Sequence, residues 1–231
     1  MKLNRRAFSV AAVGGALGAA GISEAAHAEP VQEPRPKDCE EALKRLLDGN
    51  RRFVSGELKH PHLGKDWRKR LAGGQKPFAT ILGCSDSRVP PELLFDQGFG
   101  DLFVIRVAGN VIDTDVTGSI EYGVDHLGTS LVVVMGHDGC GAVTAALQAD
   151  EDLKKEPNEI QSLVGKIKPA TKMVSPSLAF PKKLRQSVEA NVRVSVKLLK
   201  SVPDLAKAEK SNVCKIIGCV YDIESGTVRT L

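Results

Sequence analysis

No stretch of the 231 residues has the lysine and arginine density of a nucleic-acid-binding stripe, and the formal net charge is only +4. This argues against nucleic acid or an anionic membrane as a partner. The densest basic triplet, Arg68–Arg70, reads as the solvated face of a helix. An apolar run of about 20 residues, the length that spans a bilayer, is also missing. The best candidate, AAVGGALGAAGI at 11–22, is weakly apolar and about a dozen residues long. There are five cysteines, an odd number, so they cannot form a pure disulfide framework, and at least one thiol needs another use. Internal repeats and a second domain are absent as well. What remains is an ordinary globular composition, 42% hydrophobic and 26% charged, with room for one sizeable core.

Residues 1–28 stand apart. NRRAFSV carries Arg5 and Arg6, the Ala/Gly run follows, and Ala26-His27-Ala28 closes it as a small-x-small cleavage pattern. Together they resemble a twin-arginine export signal. The resemblance implies cleavage after Ala28, a mature chain from Glu29, a periplasmic or secreted location and no stable membrane anchor afterwards. Lys2, Arg5, Arg6 and Glu24 leave with it, taking +2 of the +4. That route carries folded proteins, which suits a chain that acquires a metal before export.

Residues 29–37 read as an extended leader rich in Pro and charge, and 38–231 as a single domain. Asp38 with Glu41 predicts a capped helix or helix pair over 38–55, interrupted near Gly49. A loop and a short helix cover 60–74. Apolar runs at 77–83, 102–107, 131–136 and 213–220 predict buried strands. Helices are expected at 117–128 and 182–200, the latter with Val188, Val192, Val196 and Leu199 as its apolar stripe. Residues 148–181 read as a long connection with one short helix, and the final GTVRTL as an edge strand. Alternating strands and helices predict an α/β fold: a mainly parallel central sheet flanked by helices, with an N-terminal helical arm and a C-terminal edge strand.

In such sheets, sites form beyond the carboxyl ends of the strands. Cys84 follows the first strand, and His137-Asp138-Gly139-Cys140-Gly141 follows the third. Parallel strands bring Cys84, His137 and Cys140 to one edge. Two thiolates and an imidazole suit zinc, and three protein ligands leave a fourth position open, the catalytic pattern. The thiolates offset the charge of the ion, so its water needs help to ionise. Asp86 stands two residues from Cys84 and is the expected gate: it reaches the water, whose proton it would accept, or the metal, where it would be a fourth ligand in a closed state. Arg88 is placed to pair with Asp86 and hold it off the metal. Gly83 permits close backbone approach, Gly109-Asn110 makes a turn beside the same edge, and Gly141 begins a helix whose N–H is placed to hold an oxyanion.

CSDSR and GHDGCG, with GDLFVIRVAGN and SIEYGVDHLG between them, resemble the β-class carbonic anhydrases over about residues 43–231. The resemblance implies one Zn²⁺ per subunit on Cys84, His137 and Cys140, an Asp86–Arg88 dyad, and reversible hydration of CO₂ to bicarbonate and a proton. It implies attack by a zinc-bound hydroxide on CO₂ held in a small apolar pocket; the chemistry of the residues agrees and predicts low activity where the metal water or Asp86 is protonated, with activity rising at alkaline pH. Gln75 matches a substrate-binding glutamine of the plant-like subgroup. Phe103, Ala108 and Tyr122 fall where that subgroup lines its CO₂ pocket. A buried Gln75 amide and the Gly141 N–H would then orient the product. Gln, Phe and Tyr reach across a subunit interface in the family, so a homodimer or higher homo-oligomer is implied. Some bacterial members carry a Trp three residues before the first cysteine as part of a bicarbonate regulatory site; here that position is Ile81.

A cysteine-nucleophile reading, with Arg88 binding an anion, puts only three residues between Cys84 and Arg88 where such loops need about five; one of them is acidic, and His137 and Cys140 go unused. A purely structural zinc site has no need of Asp86 and Arg88. Small linear substrates such as COS or CS₂ stay open beside CO₂. Cys214 and Cys219 lie at odd spacing on one strand, face opposite ways and read as core thiols. Cys39 stands near the leader, free or bridging between chains.

Overall fold

The computed structural model describes residues 34–231. The expected export signal and the first part of the expected leader lie outside the described residues. The rest of the leader forms neither helix nor strand and is tied down by Arg35, whose guanidinium donates to the carbonyls of Pro77 at 3.0 Å, Leu127 at 3.3 Å and Gly128.

Helix α1 (Cys39–Ser55) starts at Asp38, whose Oδ1 accepts from the N–H groups of Glu40 and Glu41, each at 2.9 Å. The Glu41 carboxylate returns to the N–H of Lys37. Contrary to expectation, α1 runs unbroken through Gly49. That glycine serves packing instead: a Cβ there would lie 1.7 Å from the Phe95 carbonyl oxygen. Helix α2 (Lys65–Leu71) buries Trp67, whose indole N–H donates to the Phe99 carbonyl at 2.8 Å.

The remaining elements are, in chain order, β1 (Ala79–Gly83), α3 (Pro91–Leu94), β2 (Leu102–Arg106), a 3₁₀ turn at Ala108–Asn110, α4 (Thr114–Asp125), β3 (Leu131–His137), α5 (Gly141–Ala146), α6 (Asp150–Leu153), α7 (Asn158–Thr171), α8 (Phe180–Ser201), α9 (Pro203–Lys210), β4 (Lys215–Tyr221) and β5 (Val228–Thr230). The sheet order is β2-β1-β3-β4-β5; the first four strands are parallel and β5 closes the edge antiparallel to β4. This is the expected α/β fold; β1 starts two residues late and β2 ends one early, β3 runs one residue further to His137, and β4 is displaced to 215–221. Every residue of β1 and β3 is buried, as in parallel strands covered on both faces.

Two helix expectations need correction. Helix α4 begins three residues early, because Asp113 caps it by accepting from the Val116 N–H at 2.9 Å. The segment 148–181 holds α6 and also the 14-residue α7, which buries Val164, Ile167 and Ala170. Gly165 and Pro169 inside α7 mask its periodicity, and tertiary packing overrides their low helix propensity.

Helix α8 fixes the geometry of the sheet's carboxyl edge. Val192 seats against glycines on two neighbouring strands: a Cβ at Gly136 or Gly218 would lie 2.6 or 2.7 Å from its methyl groups. The helix therefore lies directly on β3 and β4, one residue before His137.

Candidate metal centre

Gly83 pairs with Met135 across β1 and β3, so Cys84 leaves β1 level with the last residues of β3. His137 ends β3, Gly139 turns the chain at φ 67°, and Cys140 caps α5. The three ligand atoms of Cys84, His137 and Cys140 all lie within 4.8 Å of one another, and all three residues are buried. The two Sγ atoms are 4.0 Å apart. Zinc–sulfur bonds of about 2.3 Å at tetrahedral angles place two sulfurs ~3.8 Å apart, so the thiols stand close to the spacing such an ion needs.

The imidazole is oriented for the same role. His137 Nδ1 lies 2.9 Å from the Asp138 carbonyl oxygen, which only accepts, so the proton sits on Nδ1. Nε2 is left buried and without a hydrogen-bond partner, a lone pair aimed into the site. Burial works against the imidazolium, but the Cys84 sulfur offsets it and the histidine's pKa is raised.

The thiols behave as a pair. A hydrogen bond from Cys140 pulls Cys84 down to about 4 against the effect of burial, with further help from His137 and the N–H of Gly109 at 3.3 Å. The Cys140 thiol is pushed up by the same Cys84 contact and by burial, although the N–H groups of Ala142 and Val143 face its sulfur. The two sulfurs are in contact at the mouth of α5, and a divalent cation binding there would displace thiol protons. The residues fit a zinc ion.

Beside this set, Asp86 is gripped by Arg88. Arg88 Nε donates to Oδ1 at 2.9 Å, Nη2 to Oδ2 at 2.8 Å and its backbone N–H to Oδ1 at 3.0 Å. The Arg88 guanidinium holds the Asp86 carboxyl well below the usual carboxylate range. Asp86 Oδ2 stands 3.9 Å from His137 Nε2, within reach of whatever occupies the site. Of the two positions the sequence left open for Asp86, the described structure has the one on Arg88.

Arg106, at the end of β2, was missed by sequence reasoning. Its Nε donates to the Cys84 carbonyl at 2.9 Å and its Nη2 to the Asp86 carbonyl at 2.5 Å, bracing the loop that carries both residues. The signal was a lone arginine closing an apolar edge strand, FVIR.

The expected pocket residues divide into two groups. Gly141 opens α5, and Ala108, half-buried, precedes Gly109 in the turn at the metal set. Phe103 on β2 and Tyr122 on α4 meet with ring centroids 6.1 Å apart, and Tyr122 is 48% exposed. Phe103 pairs with Thr80, four residues back along β1 from Cys84 and so ~13 Å away. Gln75 was expected to be buried; it is exposed in the loop before β1, at the amino end of the sheet. Within one chain, Gln75, Phe103 and Tyr122 do not enclose the metal set, because strand direction places them at the other end of the strands.

Cys214 and Cys219 are buried free thiols, each pushed up to about 12 by burial, and Cys39 is a partly exposed free thiol. Among the described residues, no helix is long and apolar enough to cross a membrane.

A buried Cys₂His set beside a restrained carboxylate, carried on the carboxyl edge of a parallel sheet, defines an α/β protein with a candidate metal site of the three-ligand type. Comparison with known proteins narrows that class. The family described as "Carbonic anhydrase" matches residues 79–228, from β1 to the start of β5, and the chain belongs to that family. It is 40% identical over 194 residues to a carbonic anhydrase of Mycolicibacterium smegmatis, covering 81% of this chain and 90% of that one. It is 52% identical over 129 residues to carbonic anhydrase 2 of Mycobacterium tuberculosis, covering 56% of this chain and 62% of that protein, less than two thirds of its length. Two tetrameric β-carbonic anhydrases of the ascomycete Sordaria macrospora share the fold, with 25% identity, a TM-score of 0.67, and coverage of 82% of this chain and 96% of theirs. The chain is of the β class.

Proposed function

We propose that this chain catalyses the reversible hydration of CO₂ to bicarbonate and a proton. The observation that carries the reading is the pairing of the convergent Cys84–His137–Cys140 set with an Asp86 held off it by Arg88. Cys84, His137 and Cys140 would hold one zinc ion per subunit. When bound, zinc acts as a Lewis acid and lowers the pKa of a water molecule.

The chain's own residues do the rest. The two thiolates balance the charge of the ion, so orientation of the attacking oxygen falls to the protein. Asp86, held far below the ordinary carboxylate range, is a poor store for a proton and a steady hydrogen-bond acceptor. It fixes the direction of an O–H at the site, and Arg88 keeps it from taking the open position itself. Arg106 holds the backbone of both Cys84 and Asp86 in place.

The plant-like subgroup is the finer reading. Gln75, Phe103 and Tyr122 lie away from their own metal set and on the surface or half-buried, which suits a homo-oligomer in which a second copy supplies them to the pocket, with Ala108 and Gly141 contributed from the same chain. The tetrameric state of the Sordaria relatives supports an assembly of two copies or more. The paired arginines and the Ala26-His27-Ala28 pattern support export by the twin-arginine route to the periplasm or beyond; N-terminal sequencing of exported protein tests it, and an intact Met1 would sink it.

Stopped-flow CO₂ hydration by the zinc-loaded chain, beside Asp86→Asn, tests the activity. Turnover that falls sharply in the variant is expected; no turnover in the zinc-loaded wild-type chain overturns the proposal.

A further inference from the structure

The turn that touches the Cys84 sulfur is held from behind by α8. Gly109, buried at φ 67°, donates its N–H to Cys84 Sγ at 3.3 Å. Its own side cannot anchor it: a Cβ there would lie 2.5 Å from Ile167 Cδ1 and 3.1 Å from Ala142 Cβ. The Asn110 N–H closes the turn on the Val107 carbonyl at 2.9 Å, and the Val107 N–H ties its start to the Gly83 carbonyl at 3.1 Å. From the other side it is held by two polar residues set among the apolar positions of α8. Asn191 Nδ2 donates to the Gly109 carbonyl at 2.8 Å, and Ser195 Oγ to the Asn110 carbonyl at 3.3 Å. Asn191 and Ser195 are both 3% exposed. The neighbouring Val192 rests on Gly136, so the same helix surface that aligns the His137 strand also aligns the donor to Cys84.

We infer that Asn191 is a positioning residue for the zinc thiolate of Cys84, acting through the Gly109 peptide; this rests on the zinc reading above. A hydrogen bond to a metal thiolate withdraws charge from sulfur, so it tunes how strongly the sulfur donates to the ion. Asn191 fixes the peptide on one side of Gly109, and the N–H on the other side is thereby kept on the sulfur. An apolar residue at 191 would pack as well beside Val188 and Val192 but would leave the Gly109 carbonyl buried and unpaired.

The test uses the full chain loaded with cobalt(II), whose thiolate-to-metal charge-transfer band reports the electron density on sulfur. Asn191→Ala is expected to move that band to longer wavelength and to speed zinc release by about tenfold. Ser195→Ala, which removes the longer of the two bonds, should move it less. Val196→Ala, on the same helix and clear of the turn, should lower stability without moving the band. A folded Asn191→Ala protein with an unmoved band overturns the inference. If that variant does not fold, Asn191→Ser is read by the same criterion. Wild-type chain that takes up no cobalt, or a sulfur band untouched by Cys84→Ser, sinks the zinc reading itself and the inference with it.

Discussion

Asp86 and Arg88 meet through three hydrogen bonds of 2.8–3.0 Å, two from the guanidinium and one from the backbone N–H. The grip is local, because the partners are two residues apart in one turn, and the Asp86 side chain is the more buried of the two. A planar fork matches a carboxylate in a way an ammonium cannot. Arg88→Gln should therefore free Asp86 to swing towards the site and cut CO₂ hydration by about 10²-fold, with Arg88→Lys recovering only part of it. Since the arginine acts through the carboxylate, Arg88→Gln combined with Asp86→Asn should be little worse than Asp86→Asn alone. Stopped-flow rates for the four proteins decide it; losses that simply multiply would show that the two residues act separately.

The ligand set predicts a division of labour between zinc retention and turnover. Cys84→Ser, Cys140→Ser and His137→Ala should each drop zinc well below one ion per chain, because each removes one of three ligands. Asp86→Asn should keep the metal and lose turnover. Elemental analysis after dialysis against a chelator separates the two groups. A full zinc complement in either cysteine variant would contradict the ligand assignment.

Completion of the pocket by a second copy predicts that assembly and activity fail together. Tyr122 is exposed on α4 and stacks obliquely on Phe103 at the β2 edge of the sheet. Tyr122→Asp places a charge on that face without touching the metal set. The expected result is a smaller species by sedimentation velocity, CO₂ hydration reduced at least about tenfold, and zinc still bound at one per chain. An unchanged oligomer with full activity would remove Tyr122 from both roles.

The fold was legible wherever burial is two-sided. The runs FATILG and LVVVMG are apolar but for Thr80, whose buried hydroxyl pairs with that of Thr129, because helices cover both faces of β1 and β3; the parallel order then placed Cys84 beside His137 and Cys140 without further information. Residues whose reason lies in a distant partner were not legible. Gly49 looks like a helix break but clears the Phe95 carbonyl. Helix α7 hides its period behind Gly165 and Pro169 and is held by packing. Arg106 and Asn191 act on backbone carbonyls; Arg106 left only the faint signal of an arginine closing an apolar strand, and Asn191 left none. Gln75 has a motif spacing but no place in its own chain's site, since it is exposed in the loop before β1.

Asp96 makes acid the condition that should loosen the helical arm. Its buried carboxylate accepts from Arg52 Nε at 2.6 Å, from the Lys59 N–H at 3.0 Å and from the His60 N–H at 2.9 Å, tying α1 and the loop after it to the segment following α3. Burial raises its pKa, but the backbone donors and Arg52 outweigh that, and the net direction is down. A carboxyl group lowered in the folded state contributes stability that is fully present above its unfolded value of about 3.9 and is lost as pH falls through the folded value. Asp96→Asn is a clean probe, because asparagine also tolerates the positive φ of 45° at this position. The variant should be less stable than wild type by about 1.5–3 kcal/mol at pH 7, the range for hydrogen bonds to a charged group. That gap should hold to about pH 5 and narrow below pH 4 as the wild-type carboxylate takes up its proton. Urea midpoints measured for both proteins from pH 7 to pH 3 check this; a gap as wide at pH 3 as at pH 7 would show that the Asp96 charge is not what holds the arm.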